Sequence, residues 1–137
     1  MRLSDKKLLD LANEITDYFV KLVEFENRDD IEIRIEDSIE DTEDEGATYI
    51  TTSHGYCAII LTNQKEFDEK QRLRLIFHEL THAILREYLI FYETFIGTED
   101  EESISRRVFE QTNEKVVKRV AKLLEYIWEN KNKEGIH

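Results

Sequence analysis

The chain has 137 residues, 31 acidic and 19 basic, for a formal net charge of −12. That length suits one domain with a real hydrophobic core, so residues 1–137 are expected to form a single unit, and the charge excludes nucleic-acid binding through a basic surface. No apolar run approaches the roughly 20 residues a bilayer crossing needs and no secretory signal pattern opens the chain, which points to a cytoplasmic protein, as does a lone cysteine, Cys57, with no disulfide partner.

With no proline and only four glycines, element boundaries must be read from caps and periodicity. From Ser4 to about Glu26, Leu8, Leu11, Ala12, Ile15, Tyr18, Phe19, Leu22 and Val23 recur at three- and four-residue steps, predicting an amphipathic helix with Ser4 as N-cap. Ile31, Ile33 and Ile35 then alternate with charged residues, as in a strand with one buried face. The acidic stretch from Asp37 to Glu45 reads as a solvated turn, or alternatively as a contact for a basic partner. Two β-rich runs follow, Thr48 to Thr52 and Tyr56 to Leu61, with Ser53, His54 and Gly55 between them as a hairpin turn. The expected fold is therefore α+β: an N-terminal helix, a small three-stranded, mostly antiparallel sheet, and helices beyond it.

Helical spacing returns near Phe67 and continues through Leu73, Ile76, Phe77, Leu80, Ile84, Leu85 and Tyr88 toward Phe95, with Gly97 as its stop. Thr98 and Glu101 have the spacing of a capping box that opens another helix. The last apolar stripe runs through Val116, Val117, Val120, Ala121, Leu124, Ile127 and Trp128.

Inside the long helix stands "FHELTHAIL", an H-E-x-x-H sequence. His78 and His82 project about 40° apart at 3.6 residues per turn, so their imidazoles can converge on one ion. Glu79 points to the side of that pair, placed to act as general base on a zinc-bound water without being a ligand itself. Imidazole and carboxylate donors suit Zn²⁺, and a catalytic zinc keeps three protein ligands and one open position. The competing reading is a core helix whose two histidines find ordinary hydrogen-bond partners.

A third ligand has to come from elsewhere. His82 lies about 22 Å of helix before Gly97 at 1.5 Å per residue, so on an antiparallel return helix the residue level with it falls near position 113. Glu114 is there, on the apolar stripe of the last helix, where a carboxylate is costly unless paired or coordinated. Glu110, one turn earlier, is the competitor. Ile104 and Val108 lie off the Val117 stripe, so a fresh helix start at Thr112 or Asn113 stays open; Glu114 would then occupy a first turn.

The order of helix, small sheet, H-E-x-x-H helix and glutamate-bearing helix resembles the gluzincin-type zinc peptidases, most closely the ImmA/IrrE-like proteins of phages and mobile elements. The matching stretches are "GYCAIILTN", "FHELTHAIL" and "NEKVVKRVAKLL", and the specific part is the H-E-x-x-H core. The resemblance implies a minimal zincin-like fold, His78, His82 and Glu114 as zinc ligands, Glu79 as general base, and cleavage of an intracellular regulatory protein or peptide. Thr81 departs from the glycine many members have, and the extra DNA-binding domain of many members is not part of this sequence. The alternative from another class is a non-catalytic acidic interaction protein, or a degenerate peptidase, with a structural metal.

Other chemistry-bearing residues read blandly. His54 could sit near an oxyanion but suits an exposed turn, and His137 is a chain end. Cys57 reads as a small buried hydrophobe. Tyr88, Phe91, Tyr92 and Phe95 read as core or groove wall, and Trp128 as core.

Overall fold

The computed structural model describes residues 4–39, 44–50, 56–86 and 104–131. His54, His137, the aromatic run from Tyr88 to Phe95, Gly97 and the Thr98–Glu101 capping pattern lie outside them, as does the middle of the acidic stretch.

Helix α1 spans Asp5–Val23, and the Ser4 hydroxyl accepts the Lys7 N–H at 3.3 Å, so the N-cap is the one its sequence predicts. It ends before Glu26 because Glu24 takes a left-handed conformation, φ 55°, with its N–H donating to the Val20 carbonyl at 2.9 Å. A 3-10 turn at Arg28–Asp30 then leads into the sheet. Arg28 braces the turn: it donates to Asp17 and Asn13 of α1, each at 2.5 Å, and to the Ile31 carbonyl at 2.7 Å.

Strands β1 (Ile31–Glu36), β2 (Gly46–Ile50) and β3 (Cys57–Thr62) form a sheet in the order β1-β3-β2. The expected mostly antiparallel sheet is corrected here. β2 and β3 are antiparallel, as a hairpin requires, but β1 runs parallel to β3 from Ile31 opposite Cys57 to Glu36 opposite Thr62, so the sheet is mixed. The minimal zincin-like arrangement inferred from the resemblance is thus not the one observed; the class is α+β with a partly parallel sheet. The reason lies in burial. Every residue of β3 is buried, while β1 keeps half-exposed and exposed positions. The most apolar strand takes the centre, where both faces are covered, and the alternating one becomes an edge.

Helix α2 spans Glu69–Ile84 and opens with a capping box: Asp68 accepts the Gln71 N–H at 2.8 Å and Gln71 accepts the Asp68 N–H at 2.9 Å. Helix α3 runs unbroken over Ile104–Asn130, so no new helix begins at Thr112 or Asn113.

α1 lies against β1, α2 against β2 and β3, and α3 against α2. Their shared core joins Leu8, Ile15 and Phe19 of α1, Ile59 and Leu61 of β3, Ile76, Phe77 and Leu80 of α2, and Leu124 of α3. Phe19 meets Phe77 edge to face at 6.2 Å, and Tyr18 meets Trp128 at 5.5 Å, so Trp128 ties α3 to α1 at the rim of the core. Cys57 is buried in this core, as its sequence suggests, and burial pushes its thiol up to about 11. Among the described residues no helix is long and apolar enough to cross a membrane.

Candidate functional site

α2 presents two faces to two different neighbours. His78 and His82, one turn apart, lie on the side facing α3; their ring centroids are 5.0 Å apart at an interplanar angle of 76°. Glu79, about 100° further round the helix, turns instead toward the sheet edge and is only 5% exposed.

β2 supplies the cradle for that carboxylate. The Thr48 hydroxyl lies 2.7 Å from Glu79 Oε1 and 3.0 Å from the Glu79 carbonyl oxygen, so its single proton is shared between two acceptors on one residue. Gly46, two residues earlier and so on the same face of the strand, leaves room for the other oxygen. A Cβ at position 46 would come within 3.0 Å of Glu79 Cγ and Oε2 and within 2.9 Å of Leu75 Cδ1. Glycine is needed here for close approach, not for an unusual backbone angle.

The electrostatics follow from burial. Loss of water pushes the Glu79 carboxyl up to about 7; the Thr48 hydrogen bond opposes this, and the charges of Asp44 and Glu114 add to it. Burial likewise lowers the pKa of His82, with His78 adding to the effect and Glu114 acting against it. Glu114 is thus the α3 carboxylate whose field reaches both Glu79 and His82, from an exposed position on the facing helix. The two helices run in opposite senses: Arg74 and His78 face the stretch from Lys118 to Glu125, while His82 faces Glu114.

His78, Glu79 and His82 are therefore together, and Glu114 is near them without joining at ligand distance. Among the described residues no three His, Cys, Asp or Glu groups converge closely enough to hold a metal ion. Glu110, the competitor, is exposed one turn earlier on α3.

A cavity of about 560 Å³ opens beside Glu79 and His78. Asp44 and Glu45, both exposed, line it, so the end of the acidic stretch borders the site. Sequence reasoning missed Thr48 and Gly46 as well. The available signal was weak: one of only four glycines, two residues before a β-branched hydroxyl residue. Thr81 is accommodated inside the motif by its own helix, its hydroxyl donating to the Phe77 carbonyl at 2.7 Å.

No protein-family model, curated protein or solved structure matches the chain.

Proposed function

We propose that the chain is a zinc-dependent metallopeptidase of the ImmA/IrrE kind, cutting a peptide bond in a regulatory protein of the cytoplasm. The observation that carries this reading is Glu79. A carboxyl only 5% exposed, on a helix between two histidines one turn apart and beside an open cavity, is costly to the fold.

The donor set suits zinc in chemistry: two imidazoles from α2 and a carboxylate from the helix that faces them. His78 and His82 would hold the ion, and Glu114, which does not stand at ligand distance among the described residues, would have to draw closer to complete the set. When bound, zinc supplies a Lewis acid for the peptide carbonyl and lowers the pKa of water.

The chain's own residues do the rest. Glu79 takes the proton of the attacking water and delivers it to the departing amine. Thr48 pins one of its oxygens, and the gap left by Gly46 keeps the other free to turn toward the cavity. The substrate would lie extended along β2, an edge strand among the described residues.

The test uses zinc-loaded wild type and Glu79→Gln on peptides from a cell lysate, with new termini read by mass spectrometry. Wild type should generate termini, and the variant should generate none while retaining its zinc by elemental analysis. Full activity in Glu79→Gln ends the mechanism. Tight zinc with no cleavage by wild type leaves the non-catalytic interaction protein in its place.

A further inference from the structure

A second cavity, of about 270 Å³, opens in the groove between α2 and α3. Phe77 and Ala121 give it an apolar floor, and Arg74, Lys118 and Lys122 stand around it with Glu125. Arg74 and His78 line the larger cavity too, so the two adjoin at those side chains.

The charge here runs against that of the molecule. In a chain of net −12, three cations from two helices line one groove against a single carboxylate, Glu125, a local surplus of two positive charges. All three are exposed, and none forms an ion pair with another described residue. Lys118 and Lys122 are also spaced i, i+4, where like charges on a helix repel. Such a cluster is relieved by an anion, and the small apolar floor suits the methylenes of a side chain more than a bulky polyanion. The acidic surroundings disfavour nucleic acid, whose charge would extend well past the groove. A single carboxylate fits within it. On the far side of His78 the sign reverses, with Asp44, Glu45 and Glu79 bordering the other cavity.

We infer that the groove walled by Arg74, Lys118 and Lys122 is a specificity subsite that takes an acidic side chain, Asp or Glu, of the polypeptide bound at His78 and Glu79. The inference rests on the peptidase reading for its place beside the bond to be cut. Recognition of an acidic peptide can be measured without cleavage.

The experiment measures fluorescence anisotropy of labelled peptides on one neutral background, carrying two central glutamates, two central lysines or neither. The protein is zinc-loaded Glu79→Gln and, in parallel, wild type in EDTA, so that neither cuts the probe. The glutamate peptide should bind about tenfold or more tightly than the neutral one, although the field of the whole protein repels it. That preference should vanish in Lys118→Glu/Lys122→Glu and, from the other helix, in Arg74→Glu, with helical content unchanged by circular dichroism. Glutamate and neutral peptides binding alike, the charge-reversed variants keeping the preference, or displacement by an equally charged oligonucleotide would each overturn the inference. The peptidase reading fails separately. If wild type cuts lysate peptides with no acidic enrichment near the new termini, only the subsite is lost; if acidic peptides bind but zinc-loaded wild type cuts nothing, only the peptidase is.

Discussion

Glu79 links the candidate chemistry to stability. Its carboxyl ionises near 4.5 in an unfolded chain and near 7 in the metal-free fold, because burial disfavours the charged form. Below about pH 4.5 it is protonated in both states and the fold bears no cost. As the pH rises toward 7 the unfolded chain ionises first, and stability is lost, reaching about 3 kcal/mol above pH 7. Metal-free Glu79→Gln should therefore exceed wild type in stability at pH 8 by an amount of that order and match it near pH 4. Urea midpoints in EDTA at the two pH values measure this, and equal midpoints at pH 8 would mean that the carboxylate is hydrated. Gly46→Ala probes the same pocket from the strand. Its methyl group would collide with Glu79 Cγ and Oε2 and with Leu75 Cδ1. We expect peptidase turnover to fall about tenfold or more, since a displacement near 1 Å is enough to disturb proton transfer, while circular dichroism stays that of the wild type. Unchanged turnover would show that the carboxylate does not need this space.

At the scale of elements, α2 carries His78, Glu79 and His82 on two adjacent faces, and its start is set by the reciprocal bonds of Asp68 and Gln71. Asp68→Ala removes one acceptor and should cost about 1 kcal/mol, seen as a lower urea midpoint with zinc affinity retained, because the cap lies more than two turns from His78. A loss of zinc binding instead would mean that the first turn positions the histidines. The helical periodicity of α2 was legible from Leu73 onward, and D-x-x-Q marks its start more sharply than the apolar pattern near Phe67 does. The sheet was less legible. Alternation identified β1, and two β-rich runs identified β2 and β3, but alternation describes one strand's faces and says nothing of its neighbour. The β2–β3 hairpin is as expected, whereas the mostly antiparallel sheet is not: β3 lies between β1 and β2 and runs parallel to β1. The hint was the unbroken apolar run "CAIIL", which two exposed faces could not accommodate.

For the whole molecule the dominant long-range quantity is the charge of −12. The chain carries 31 acidic against 19 basic residues, and the excess of like charge repels itself. Raising sodium chloride from about 20 to about 300 mM shortens the Debye length from about 20 Å to under 6 Å. The melting temperature should rise by a few degrees in metal-free protein, as scanning calorimetry can show; a fall would place the favourable ion pairs, such as Arg86 with Glu26 and Arg28 with Asp17, above the net repulsion. The same imbalance makes the cationic groove between α2 and α3 conspicuous, and no reading of the linear charge pattern located it. Arg74 and Lys118 are far apart along the chain and meet only because α2 and α3 run antiparallel.

By itself, the sequence determined what depends on near neighbours. The helical and strand periods, the Ser4 cap, the burial of Cys57, and the placing of His78 and His82 one turn apart all follow from spacings of a few residues and from the geometry of a single helix or strand. Tertiary structure alone decided what depends on which surfaces meet. It chose β3 as the central strand, brought Gly46 and Thr48 against Glu79, set Glu114 near His82 without joining it, and gathered three cations beside His78. The physical reason is that burial is a property of pairs of surfaces. A carboxyl that ionises near 7 and a basic groove in an acidic protein arise when distant segments exclude water from one another, and no local pattern encodes that exclusion.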